Sequence, residues 1–135
     1  MKKITKITVL IILMLAAIFL IFQFQVKNNR VITYEHYTTE YTRMVTSIVN
    51  ETKGLSIEEA LLTIKSTKNL ENMKELKKLV DKCEIEFNSD SQNKIFYHNS
   101  IKKQYDELNM LFGGSSDLKE LEDILTGLRI KMFYN

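Results

Sequence analysis

His36 and Glu40 stand four residues apart, the spacing that sets two metal ligands on neighbouring turns of one helix. Zinc wants three or four ligands at characteristic spacing. The other histidine, His98, lies on a distant segment with no partner motif. His36 therefore reads as a solvated side chain beside Thr33, Glu40 and Arg43, and His98 as a boundary residue of its own stripe. No metal and no cofactor is expected.

Cys83 is the only cysteine, which excludes an internal disulfide framework and leaves packing to supply stability. A nucleophilic thiol needs a base or a positive field beside it. Cys83 instead shares a helical face with Val80 and Phe87, so it reads as a buried core thiol. Glu58 with Glu59, Glu84 with Glu86, and Glu120 with Glu122 and Asp123 supply carboxylates, which hydrolases use in pairs whose pKa values are separated. Lysines are interspersed among them at the period of an exposed helix face, so acid–base catalysis is not expected. Asn50, Glu51 and Thr52 match a glycosylation acceptor, a short pattern that carries little weight by itself. With no Gly-rich phosphate loop, Ser-His-Asp order or cysteine-pair motif, the chain reads as a non-enzyme with no small-molecule substrate.

Tyr34, Tyr37, Tyr41 and Met44, continued by Ile48, follow a three-four spacing that puts them on one helix face. Aromatic side chains give large contact areas at low entropic cost and are enriched in interface hot spots. Two uses compete for such a stripe: the core of a helical bundle, or a partner-binding surface where a long first helix outruns its neighbours. Tyr34, Tyr37, Tyr41 and Met44 are the candidate partner-binding residues.

What positions that stripe begins upstream. Residues 7–26 carry no charge and are mostly Ile, Leu, Val, Phe, Met and Ala. At about 1.5 Å per residue they match the roughly 30 Å of a bilayer's hydrocarbon core. Lys2, Lys3 and Lys6 precede the run while Lys27 and Arg30 follow it, a bias that favours the amino end in the cytoplasm. A cleaved signal would need small residues at its exit. The exit here reads Phe22, Gln23, Phe24, Gln25, Val26, so the run is expected to stay as an anchor. The expected division is a cytoplasmic end at 1–6, a transmembrane anchor at 7–26 and an extracytoplasmic helical domain at 27–135. Removing the three leading lysines leaves 16 basic against 17 acidic residues, so the outer part lacks the basic footprint of a nucleic-acid binder.

There is no proline, and Gly54, Gly113 and Gly114 fall where the apolar period breaks. The outer chain is all-α. The first helix is expected to run unbroken from the anchor to about Lys53. Ser56 with Glu59 makes a capping box for a second, whose inner face holds Ile57, Ala60, Leu61 and Ile64. Residues 65–69 are polar and fit either a kink or a loop. Leu70, Met73, Leu76, Val80, Cys83 and Phe87 form the next stripe, opposite a solvated face where Glu71 pairs with Lys74. After a loop at 88–93, with Ser89 and Gln92 as a capping box, Ile95, His98, Ile101, Tyr105, Leu108 and Phe112 define a further helix. Residues 113–116 connect tightly to a last stripe of Leu118, Leu121, Leu125, Leu128 and Met132, where Gly127 marks a close helix contact.

Short connections favour antiparallel neighbours, giving a transmembrane helix followed by an antiparallel bundle of three to four helices. Many Lys, Asn, Ile and Thr residues and a Met-Lys-Lys start suggest a bacterial envelope protein. The expected partners are the lipid bilayer and another envelope protein or a second copy of the chain. The function that fits is a non-catalytic subunit or adaptor of a membrane complex; a tethered immunity or inhibitor protein against a toxin or hydrolase is the alternative.

Overall fold

The computed structural model describes residues 2–114 and 117–134, and every regular element within them is helical. The order is α1 (Lys2–Glu51), α2 (Ile57–Ile64), α3 (Thr67–Glu86), α4 (Ser91–Phe96), α5 (Lys103–Asn109) and α6 (Leu118–Tyr134). A π-helical turn at Tyr97–Lys102 joins α4 to α5, and another at Met110–Gly114 follows α5.

α1 is a single helix of 50 residues. No proline interrupts it, so the backbone hydrogen bonds continue from the apolar run into the outer part. The apolar run is exposed on every side, and among the described residues α1 is the one helix long and apolar enough to cross a membrane. The outer part buries one face: Thr33, Tyr37, Tyr41, Met44, Val45, Ile48 and Val49. α1 ends where Thr52 folds back, its Oγ1 donating to the Ile48 carbonyl at 2.7 Å. Gly54 then takes a φ of 77°, a left-handed turn that costs glycine no Cβ clash.

Ser56 and Glu59 form the expected capping box at the start of α2, and Ala60 and Ile64 are fully buried. Residues 65–69 resolve into a sharp break. α2 ends at Ile64, and Ser66 caps α3 by accepting from the Asn69 backbone N–H at 3.3 Å. The new start rotates α3 so that Asn69, not Leu70, points inward; Leu70 is 43% exposed. From Met73 to Phe87 the stripe is buried as its spacing requires. α3 lies antiparallel to α1, with Asn69 beside Glu51 at one end and Phe87 beside Tyr34 at the other. Its outer face carries ion pairs, though Lys78 meets Glu75 and Lys77 meets Asp81 rather than Glu71 meeting Lys74. Such exposed pairs contribute about 0.3–0.5 kcal/mol each.

Two details of the next run differ from the expected pattern. The cap of α4 is Asp90 rather than Ser89, because its carboxylate serves both the Asn93 backbone N–H (2.8 Å) and the Asn93 side-chain amide (3.1 Å). The π turn then adds a residue to the winding and shifts the inward face. Tyr97 and Ile101 are buried, while Ile95 and His98 are exposed. Leu108 and Leu111 continue the buried face.

Gly113 has a φ of 117°, which breaks the helical run; Ser115 and Ser116 of the expected connection lie outside the described residues. Asp117 caps α6, accepting from the Lys119 N–H at 3.0 Å, and Leu121, Leu125 and Leu128 are buried. Leu118 and Met132, at the ends of that stripe, stay exposed. A Cβ built on Gly127 would meet nothing within 4 Å, so Gly127 marks no close helix contact. All these inward faces join one core cluster around the outer half of α1.

Candidate functional site

The tyrosine stripe lies inside this core. Tyr37 is 1% exposed, Met44 3% and Tyr41 9%, while Tyr34 is half-buried. Among the four candidate partner residues, only Tyr34 offers surface; the others are core side chains, because α3 and α6 pack along α1 and Gln104 of α5 reaches the Tyr37 hydroxyl. The rings form a ladder. Tyr34 stacks on Tyr37 with centroids 6.5 Å apart, and Tyr37 on Tyr41 at 5.8 Å. Phe96 and Phe87 meet Tyr34 edge-on at 5.5 and 6.2 Å, and stack on each other at 5.6 Å. Offset stacks and edge contacts of this kind add about 0.5–1.5 kcal/mol each beyond area burial.

Burial dictates the chemistry of these groups. The Tyr37 hydroxyl lies 3.0 Å from Gln104 Oε1 and 3.2 Å from the Ile101 carbonyl, which belongs to the π turn. Desolvation, reinforced by Tyr41 and Cys83, holds its pKa far above the usual tyrosine range. Tyr41 is pushed up to about 12 by burial and by the Glu107 carboxylate. Cys83 is pushed up to about 11, again by burial first and by Glu86 second. Burial of this thiol disfavours its thiolate form.

The polar candidates do not converge. His36 and Glu40 share a face of α1, but Glu40 pairs with Arg43, and His98 stands on the π turn edge-on to Tyr97 at 5.2 Å. No three His, Cys, Asp or Glu side chains among the described residues form a metal-binding group. Glu59 is used in its capping box, and Glu58, Glu84, Glu122 and Asp123 are exposed. Thr52 of the glycosylation pattern is fully buried, and its carbonyl accepts from Arg129 Nη2 at 2.8 Å.

Two features escape a reading of the sequence. The first is Asn69, fully buried, whose Nδ2 donates to the Ile64 carbonyl and to Glu51 Oε2, each at 3.0 Å. One amide thereby joins the ends of α1, α2 and α3, while its Oδ1 has no hydrogen-bond partner. A polar residue three positions after a serine reads as part of a cap, so only the tertiary packing reveals the joint. The second is an open groove between α1 and α3, lined by His36, Thr39, Glu40 and Arg43 on one wall and Glu75, Lys78 and Leu79 on the other. It carries both charge signs and suits a polar contact surface better than an enclosed ligand site. Comparison with known proteins adds no likeness to these features: no protein-family model, no curated protein and no solved structure matches this chain.

Proposed function

We propose that the chain is a single-pass, membrane-anchored, non-catalytic subunit or adaptor of an envelope complex. In this reading residues 1–6 are cytoplasmic, 7–26 span the bilayer, and 27–135 form an antiparallel bundle outside it that binds another protein. The observation that carries the reading is the continuity of α1, in which one helix holds both the exposed apolar run and the inward face of the packed domain. A rigid link fixes the domain's height and rotation over the membrane, and tethering raises its effective concentration beside a membrane partner. The binding surface is the α1–α3 groove together with the exposed edge of Tyr34, since Tyr37, Tyr41 and Met44 are committed to the core.

Cross-linking in intact cells, followed by identification of what co-purifies with the detergent-solubilised chain, tests this. One stoichiometric membrane complex is the expected result. Recovery of a soluble toxin or hydrolase would favour the immunity or inhibitor reading, and self-contacts alone would overturn both.

A further inference from the structure

Several apolar side chains outside residues 7–26 are exposed, among them Leu62, Leu70, Leu118 and Ile130 on α2, α3 and α6, but five of them lie together in the layer next to the apolar run. Val31 and Ile32 on α1 are 45% and 41% exposed, Ile85 on α3 is 77% exposed, and Ile95 and Phe96 on α4 are 58% and 38% exposed. Contacts fix the height of this layer. Tyr34 meets both Phe87 and Phe96, the Arg30 guanidinium lies 5.8 Å over the Phe87 ring, and Arg30 Nη1 donates to Ser89 Oγ at 3.3 Å. Ser89 and Asp90, in the turn between α3 and α4, also share a cleft with Gln23, Phe24, Val26 and Lys27. The turn therefore reaches down α1 to the exit of the apolar run.

That height has a physical meaning if residues 7–26 span a bilayer, the reading on which this inference rests. Headgroup zones add roughly 5–7 Å to each side of the hydrocarbon core. α1 rises about 1.5 Å per residue, so Lys27, Arg30 and the turn at Ser89 sit among the headgroups, and the five apolar residues ring their outer edge. Helical side chains lean toward the amino end of their helix, and α4 begins at this turn, so Ile95 leans toward the membrane.

We propose that this collar is a lipid-contacting surface, which seats the outer domain on the interfacial zone of the bilayer. Distribution argues for lipid over protein. Val31 and Ile32 point about 100° apart on one helix, and Ile85 and Ile95 stand on two further elements. A protein partner covers one side of a domain, whereas a membrane surface meets every side at the same height. Charge argues against a polyanion-binding patch, because Lys27, Arg30, Lys82 and Lys94 are balanced in the same layer by Glu35, Glu84, Glu86 and Asp90. The contact is apolar burial at the interface, as in helices that lie on a membrane, and should not depend on lipid charge.

The chain contains no tryptophan, so a single introduced indole is an unambiguous reporter. The full-length variants Ile85→Trp, Ile95→Trp, Leu62→Trp and Phe19→Trp are reconstituted into phosphatidylcholine vesicles with and without brominated lipid. Leu62, 78% exposed on α2, is the control remote from the membrane, and Phe19 reports the anchor itself. The expected result is blue-shifted emission at positions 85 and 95, with at least twofold quenching by lipid brominated near the top of its acyl chains. The signal should be the same at any protein-to-lipid ratio and with added anionic lipid. Quenching at 85 and 95 no greater than at 62, with position 19 quenched, would overturn the collar alone. A blue shift that fades on dilution in lipid would mean that a second copy covers it, overturning the proposal equally. An unquenched position 19 would remove the anchor reading, and the collar with it.

Discussion

The Tyr37 hydroxyl lies 3.2 Å from the Ile101 carbonyl, a bond that fastens the outer part of α1 to the π turn of the helix packed on it. The same oxygen is 3.0 Å from Gln104 Oε1, and a phenol has a single proton to give. With the Gln104 amide turned so that its nitrogen donates to the hydroxyl, the phenol's proton serves Ile101 and both contacts hold. Tyr37→Phe removes this buried anchor while keeping the ring stack. It should cost about 1–2 kcal/mol, read as a lowered thermal midpoint by circular dichroism of the detergent-solubilised chain. Tyr37→Ala empties a core site and should cost about 3–5 kcal/mol, so alanine at this position reports folding and not partner binding. A Tyr37→Phe midpoint equal to that of the parent would mean the hydroxyl contributes nothing net.

Asn69 and Glu51 give a second, independent test. The amide satisfies the Ile64 carbonyl, which the end of α2 would otherwise leave without a donor. Asn69→Ala should destabilise by about 1–3 kcal/mol, the range for stranding a buried polar partner. Asn69→Asp should be worse, since it replaces the donating nitrogen with an oxygen facing two acceptors. If both variants melt with the parent, Asn69 is not the joint between the three helix ends.

Gly127 offers a change in the opposite direction. It sits within α6, and a Cβ there meets no atom within 4 Å. Gly127→Ala should therefore stabilise by about 0.5–1 kcal/mol through restricted unfolded-chain entropy. A fall in the midpoint would reveal a neighbour that approaches α6 at this point.

These cases divide what the chain discloses locally from what it discloses only when folded. Gly54, Ser56 and Glu59 were legible because a left-handed turn and a capping box are settled by a few neighbouring residues. The continuity of α1 was legible because nothing between 7 and 51 breaks a helix. The fate of Tyr37 and Tyr41 was not, because a stripe reveals which residues share a face and not what covers it. Tyr97 is buried and His98, read as a boundary residue, is exposed, because a π turn shifts the face without changing composition. Asn69 took an inward position because α3 restarts one turn after α2, a matter of geometry between helices. The α1–α3 groove pairs residues about 40 positions apart, as Glu40 and Lys78 do, and no local signal connects them.

Alkaline pH should unfold the domain through groups that burial keeps neutral. Cys83 moves from 9.0 to about 11, and Tyr41 from 10.0 to about 12. A folded pKa raised above the unfolded one means that the folded state holds its proton more tightly, so stability is intact below about pH 9 and lost as pH rises through 9 to 12. Cys83→Ala should delay the onset from about pH 9 to about pH 10, where the tyrosines begin. Tyrosinate absorbance and helical signal, followed together, should change in step. Free ionisation near pH 10 with full helix content would show that these tyrosines are accessible to solvent. The same burial predicts that Cys83 resists thiol reagents until the domain unfolds.

The unbroken α1 makes the most demanding prediction, because the anchored-adaptor reading and the lipid collar both depend on it. Phe19, within the apolar run, and Asn50, near the carboxyl end of α1, are exposed on one continuous helix. At 1.5 Å per residue, spin labels at these positions should give a single narrow distance near about 46 Å in reconstituted vesicles. Asn29→Pro removes a backbone donor and sets its ring against the Gln25 carbonyl, at a cost of about 3 kcal/mol. It should broaden and shorten the distribution while leaving the Tyr34 to Phe96 cluster folded, since that cluster is built beyond the break. A parent chain that already gives a broad or short distribution would mean that residues 27–30 are a hinge. The domain would then hang from its anchor with no fixed height, and neither a defined partner orientation nor a collar at the lipid surface would follow.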